Sequence, residues 1–179
     1  MDRITMKKKA ALGYFDTNAN DDVWRKVGSF SKLAVWVDDS IEGYLDVEVV
    51  DNSVSHKRSP QRVKRVLRVQ LSVGSFKNAF HIDMTQLDHR YGGRGIAAKA
   101  YRYIIKKLGL TIQAGTAQSK GGRKVWFDLA QINDLNVYVQ SKYSKKYVVG
   151  IDTEEREVWH PMKEIYDGDK EMYVFATAA

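Results

Sequence analysis

The sequence predicts an α+β fold: a mostly antiparallel, twisted sheet with a central parallel strand pair, flanked by helices. Two observations carry this. Several segments alternate apolar and polar residues at period two before the first long helix signal appears. Further on, the order becomes strand, glycine-rich loop, helix, strand, and a strand–helix–strand crossover places its two strands parallel. The length of 179 residues, with 44% hydrophobic and 28% charged residues, suits a single domain able to bury most of its apolar surface. That domain is expected over 1–179, with N-terminal strands in 30–75, a core in 80–139 and C-terminal strands in 140–179.

Taken in order, "NANDDVWRKVG" predicts a short helix capped by Asn20 or Asp21. "KLAVWV", Lys32–Val37, predicts a strand. "GYLDVEVV", Gly43–Val50, alternates: Leu45, Val47 and Val49 fall on one face, Asp46 and Glu48 on the other. "DNSVSHKRSPQ" has turn residues and one of the two prolines, and predicts a loop. "RVKRVLRVQLSV", Arg62–Val73, puts Val63, Leu67, Val69, Leu71 and Val73 at even spacing, with a basic outer face, and pairs most simply antiparallel to the strand before it.

"SFKNAF" turns the chain, and "FHIDMTQL", Phe80–Leu87, is a strand. "IAAKAYRYIIKKL", Ile96–Leu108, is a helix with a stripe of Ala97, Ala100, Ile104 and Leu108 and Gly109 as C-cap. "LTIQAGTA", Leu110–Ala117, is a strand. Ser119–Asn133 is a second helix with Val125, Leu129 and Ile132 on one face. "NVYVQSKYSKKYVVGID" and "MYVFATA" supply late strands, and "EREVWHPMKEIY" between them has no clear assignment.

The bulk numbers also exclude chemistry. Without cysteine there is no disulfide, thiolate metal site or cysteine nucleophile, and no metal is expected. "MDRITMKKKAALGYF" has charge with no long apolar run behind it, so no secretory signal is expected, and no apolar stretch reaches membrane-span length. The simplest expectation is a cytoplasmic protein without a membrane partner. The formal net charge of +7 favours anionic partners. Six Lys/Arg fall in "HKRSPQRVKRVLR", His56–Arg68, so nucleic acid could bind through 57–68.

The most informative stretch is "DHRYGGRGIAA", 88–98. Between a strand and a helix it holds three glycines and two arginines. The first N–H groups of a helix have no internal partner and, with the helix dipole, attract anions. Glycine lets a phosphate approach the backbone, and Arg90 and Arg94 add charge. The Gly-Lys-Ser/Thr of a Walker loop is missing, and no acidic residue follows at a strand end as a dinucleotide fold requires.

"LDHRYGGRGIAAKAYRYIIKKLGL" resembles motif A of the GNAT superfamily of N-acetyltransferases, where Arg/Gln-x-x-Gly-x-Gly/Ala opens a helix after an apolar strand end. Arg90-x-x-Gly93-x-Gly95 satisfies the letters. Gly92-x-x-Gly95-x-Ala97 fits the surroundings better, with Leu87 at the strand end and Ile96 between the small residues. Gly92 then stands where the family has Arg or Gln, with Arg90 or Arg94 as substitutes. Downstream, Ser119-x-x-Gly122-x-x-x-Trp126 has the spacing of the family's Asn-x-x-Ala-x-x-x-Tyr, every letter changed. Serine can still cap the helix and reach a polar cofactor group. Tryptophan cannot replace the tyrosine as proton donor; Tyr138 and Tyr143 are alternatives. The likeness covers about one third of the chain, 80–139, and the irregular flanks have the look of a phage-type member.

The resemblance implies a GNAT-like sheet binding acetyl-CoA through Leu87, Arg90, Gly92, Gly93, Arg94, Gly95, Ile96, Ala97, Ser119 and Gly122. It implies acetyl transfer by direct attack of an amine on a protein, nucleotide or small molecule. Asp83 falls where the family often carries its general base, and His81 is the neighbouring candidate. Two other readings are an inactive GNAT-like module whose basic face binds nucleic acid or a host protein, and a structural protein whose glycines only turn the chain.

Overall fold

The computed structural model describes residues 12–16, 23–74, 76, 78–115, 118–141, 146–148 and 172–179. The chain divides into two compact units, 1–70 with 84–96 and 71–83 with 97–179. Ten strands and two helices are described, in an α+β arrangement whose pairings are mostly antiparallel with one parallel pair.

The first unit begins with β1 (Tyr14–Asp16), β2 (Arg25–Phe30), β3 (Leu33–Asp38) and β4 (Tyr44–His56), followed by most of β5 (Ser59–Val73). The strand order is β2-β3-β4-β5, with β1 antiparallel on β5. The alternation in β4 works as predicted on one face, and β3 packs against it. Val35 pairs with Val49 and Val37 with Val47, all buried, and burying each such side chain contributes about 1.5–3 kcal/mol. Ala34, Val50, Val63 and Phe15 form a second cluster on the other face, with Trp24 and Trp36 against it.

Three expectations are corrected in this unit. The segment after Asn20 and Asp21, themselves outside the described residues, is the strand β2 from Arg25 onward and not a helix. Pairing with β3 supplies its backbone hydrogen bonds, and a bulge between Lys26 and Gly28 absorbs the break in alternation. The hairpin closes through Ser31 and Lys32, both at positive φ, with no Asn-Gly to announce it. The loop expected over 51–61 is mostly strand: β4 runs to His56, β5 starts at Ser59, and Lys57–Arg58 alone turn the chain. Finally, Glu48 and Lys64, placed on polar outer faces, are buried at 0% and 2% exposure.

The second unit holds the start of β6 (Ala79–Leu87), nearly all of α1 (Ile96–Lys107), β7 (Thr111–Gln113), α2 (Lys120–Ala130), β8 (Leu135–Ser141), β9 (Lys146–Val148) and β10 (Met172–Ala178). Its strand order is β6-β7-β10-β8-β9. β6 and β7 are parallel, as the crossover through α1 requires, with Ala79 opposite Thr111 and His81 opposite Gln113. β7 ends there, so the strand expected over 110–117 is shorter, and the N–H of Ala114 donates to Val174 O. The C-terminal strand β10 lies between β7 and β8, with Val174 opposite Val139 and Phe175 opposite Tyr138.

α1 buries Ala100, Tyr101, Ile104 and Ile105, a wider stripe than Ala97, Ala100, Ile104 and Leu108, because the Tyr101 ring packs on Trp126 at 5.9 Å. Gly109 takes φ +71 after the helix, as a C-cap should. Ser119 caps α2, its Oγ accepting from the N–H of Gly122 at 3.1 Å. The segment 155–166 lies outside the described residues, as does Tyr143.

Candidate functional site

The glycine loop lies in the first unit, and its shape starts from Asp88. Asp88 follows β6 directly, and its N–H donates to Val66 O at 2.9 Å. Its carboxylate accepts from the N–H of Arg90 at 3.0 Å, which starts a 3-10 turn, His89–Tyr91. It also accepts from the side edge of the Arg90 guanidinium, Nε at 3.1 Å and Nη2 at 3.2 Å. Lys64 Nζ lies 2.7 Å away on the other side. The side chains of Asp88 and Lys64 are 0% and 2% exposed. Burial by itself would raise the Asp88 pKa, but the hydrogen bonds from Arg90 and Lys64 and the charge of Lys64 outweigh it and hold the carboxyl well below the usual range. Lys64 Nζ also donates to Leu12 O and Gly13 O, which satisfies the ammonium.

After the 3-10 turn the loop runs Gly92, Gly93, Arg94, Gly95 and enters α1 at Ile96. Gly93 has φ +74 and Gly95 has φ +66, the left-handed region where a Cβ is strained. A Cβ at either would meet nothing within 4 Å. Backbone conformation alone therefore calls for glycine there, and the space beside both is open, which suits a ligand that approaches the backbone closely.

The two arginines behave differently. Arg90 is bound back onto Asp88 in a bidentate pair. Arg94 lies over the Tyr91 ring, its Cζ 5.2 Å from the centroid. Tyr91 is fixed from behind, its hydroxyl donating to Asp51 Oδ2 at 2.9 Å. Burial and that bond push its pKa up to about 12, so it remains a neutral platform. Asp51 is held below its ordinary pKa: burial opposes, but hydrogen bonds from Ser53 and Tyr91 prevail. Of the two predicted substitutes for the family's Arg or Gln, Arg94 is the one not committed to a carboxylate of the loop.

The predicted catalytic pair belongs to the second unit. His81 and Asp83 share a face of β6, and His81 Nδ1 lies 2.9 Å from Asp83 Oδ1. Ser72 Oγ donates to the same oxygen at 3.0 Å. The imidazole is 25% exposed and the carboxylate 41%, so both reach solvent. Leu87 and Thr85, further along β6, are half-buried. Ser119 and Gly122 also belong to the second unit; Ser119 is exposed and used as a cap, and an alanine would fit at Gly122, where a Cβ meets Ser119 Oγ at 3.6 Å. Trp126 is a core residue at 2% exposure. Tyr138 stacks on Phe175 at 5.2 Å, and burial raises its pKa.

The basic segment is less basic than its letters. Lys64 pairs with Asp88, Arg65 Nε lies 2.8 Å from Glu48, and Arg68 pairs with Asp46 at 3.0 Å. Lys57, Arg58 and Arg62 are exposed. Sequence reading missed Asp88, Lys64, Asp51 and Ser72. The one available signal was Asp88 two residues before Arg90, an Asp placed to bond the backbone two residues on.

No family model matches the chain, and no curated protein sequence does. Among solved structures it is similar to the ribosomal-protein-S18-alanine N-acetyltransferase from Escherichia coli, at 14% identity and TM-score 0.39, over 77% of this chain and 70% of that one. It is also similar to the IAA acetyltransferase from Bacillus cereus ATCC 14579, at 12% identity and TM-score 0.38, over 88% of this chain and 99% of that one. Likenesses of that degree stand beside the geometry and add no weight to it.

Proposed function

We propose that this chain is an acetyl-CoA-dependent N-acyltransferase that moves an acetyl group to an amine by direct attack. The observation that carries the reading is the loop itself: a strand enters a turn whose Gly93 and Gly95 take left-handed φ beside open space, next to Arg94, and a helix begins at once. A phosphate needs that combination of close backbone approach, helix N–H groups and one available cation. The sequence resemblance over 80–139 supports the same reading. Gly92, Gly93, Gly95, Ile96 and Ala97 would offer backbone to the pyrophosphate, with Arg94 as its side-chain partner and Arg90 beside it. When bound, acetyl-CoA supplies an activated thioester carbonyl. The chain supplies His81 and Asp83 to manage the proton of the acceptor amine.

The competing reading is an inactive module of the same fold with a basic face for nucleic acid or a host protein. Gly92 and Trp126 favour it, since each departs from the family's residue. The pairing of Lys64, Arg65 and Arg68 with buried or half-buried carboxylates weakens it.

Calorimetric titration of CoA and acetyl-CoA into the protein tests the proposal. Micromolar binding is expected, weakened about tenfold by Arg94→Gln and abolished by Gly95→Glu, which adds both left-handed strain and a negative charge. No binding by the parent protein means that the loop is a structural turn.

A further inference from the structure

Asp83 Oδ1 receives two contacts, from Ser72 Oγ at 3.0 Å and from His81 Nδ1 at 2.9 Å. An ionised carboxylate has no hydrogen to give and can only accept. Nδ1 must therefore carry a hydrogen, and in the neutral imidazole the lone pair falls on Nε2. A carboxylate bound to one ring nitrogen is the arrangement that prepares the other for proton abstraction and stabilises the imidazolium that results. Both donors occupy the same oxygen of Asp83.

The surroundings of the imidazole are also kept clear. Gly115 follows β7, and a Cβ there would stand 2.5 Å from Ile82 O and 3.9 Å from His81 Cε1. No side chain fits at that position. Gly74 stands beside His81 as well: a Cβ on it would lie 3.7 Å from His81 Cβ and 3.0 Å from Gln113 Oε1. Gln113, opposite His81 in the parallel pair, is 3% exposed, and its Oε1 has no hydrogen-bond partner among the described residues. Gln113 therefore places an unmet acceptor on the strand paired with His81.

We propose that His81 is the general base toward the acceptor amine, and that Asp83 and Ser72 are positioning residues that fix its ring. This rests on the acyl-transfer reading and divides roles that the sequence left joined. The acceptor R–NH3+ gives one proton to His81 Nε2, and the imidazolium formed is held by Asp83. The freed lone pair forms the C–N bond to the thioester carbonyl carbon. The C–S bond breaks with its electron pair on sulfur, and the second proton leaving nitrogen ends on that sulfur. His81 returns its proton to solvent.

The test reads the ring directly, in the free protein. Histidine ring nitrogens labelled with 15N are observed at pH 8, where an unperturbed imidazole is neutral. The hydrogen of His81 is expected on Nδ1 in the parent and shared with Nε2 in Asp83→Asn, with a smaller effect in Ser72→Ala. An Nε2–H ring in the parent overturns the assignment. In turnover with an amine acceptor, His81→Gln should lower kcat about 10²–10⁴-fold and leave KM for acetyl-CoA unchanged. Asp83→Asn should cost less; if it costs more, the carboxylate is the base and the proposal is wrong. A protein with the Nδ1–H ring that binds no CoA sinks the acyl-transfer reading and this role with it. One that binds CoA with the Nε2–H ring sinks the role alone.

Discussion

Glu48 shows how burial outweighs charge at one residue. It sits in β4 opposite Trp36, at 0% exposure, with Arg65 Nε 2.8 Å and Arg68 Nε 3.5 Å from its oxygens. Neither contact has hydrogen-bond geometry, and Trp36 Nε1 nearby also lacks a partner among the described residues. Burial therefore raises its pKa to about 7, with Arg65 and Arg68 pulling it back and Asp46 pushing it further. The ordinary value is 4.5. A folded pKa above the unfolded one means that the folded state holds the proton more tightly. The stabilisation is complete below pH 4.5 and is lost as the pH rises through 7. Its full size is roughly 3 kcal/mol. Denaturant unfolding between pH 5 and pH 8 should show stability falling on this account, and Glu48→Gln should remove most of that slope. A slope untouched by the substitution would show that Glu48 is ionised throughout.

At the scale of elements, the β4–β5 hairpin is the part that sequence reading missed and the loop depends on. Asp51 on β4 holds Tyr91, and Lys64 on β5 holds Asp88. The first contact seats the platform of Arg94, and the second sets the turn before the glycines. Removing one partner of a buried ion pair costs about 3–5 kcal/mol when the other is left uncompensated. Arg90 still holds Asp88 after Lys64→Met, so a destabilisation below that range is expected. The double variant Lys64→Met with Asp88→Asn should recover part of it, because no unpaired buried charge remains. Chemical denaturation of the three variants checks this, and additive losses would mean that the two side chains do not act as a pair. The alternation of Leu45, Val47 and Val49 was legible because one buried face has a simple period. The extension of β4 to His56 was not, since Asn52, Ser53 and Ser55 have turn chemistry and only pairing with a neighbouring strand makes them extended.

For the whole molecule, the net charge of +7 invites a nucleic-acid partner. Yet three of the six cations of the basic segment are engaged by Asp88, Glu48 and Asp46. If duplex DNA binds through this segment without breaking those three pairs, at most three phosphate contacts remain, so a log–log salt slope no steeper than about −3 is expected. A fluorescence titration from 50 to 200 mM salt measures it. A slope near about −5 would show that the paired arginines and Lys64 are released to the nucleic acid.

By itself, the sequence determined the order of the elements from β3 to α2, the parallel pair across α1, the glycine turn, the C-cap of α1 and the N-cap of α2. These follow from local chemistry: period-two and period-3.6 burial, left-handed glycine, and a serine cap. Tertiary structure alone decided which charges remain available. Lys64, Glu48 and Asp88 have the letters of surface residues and lie in the interior, and Arg90 and Arg94 look alike but have different neighbours. It also decided that His81, Asp83 and Ser72 meet, because Ser72 at the end of β5 and Asp83 on β6 are brought together by the sheet. A side chain's charge state and partner depend on what surrounds it in space, and spacing along the chain does not record that.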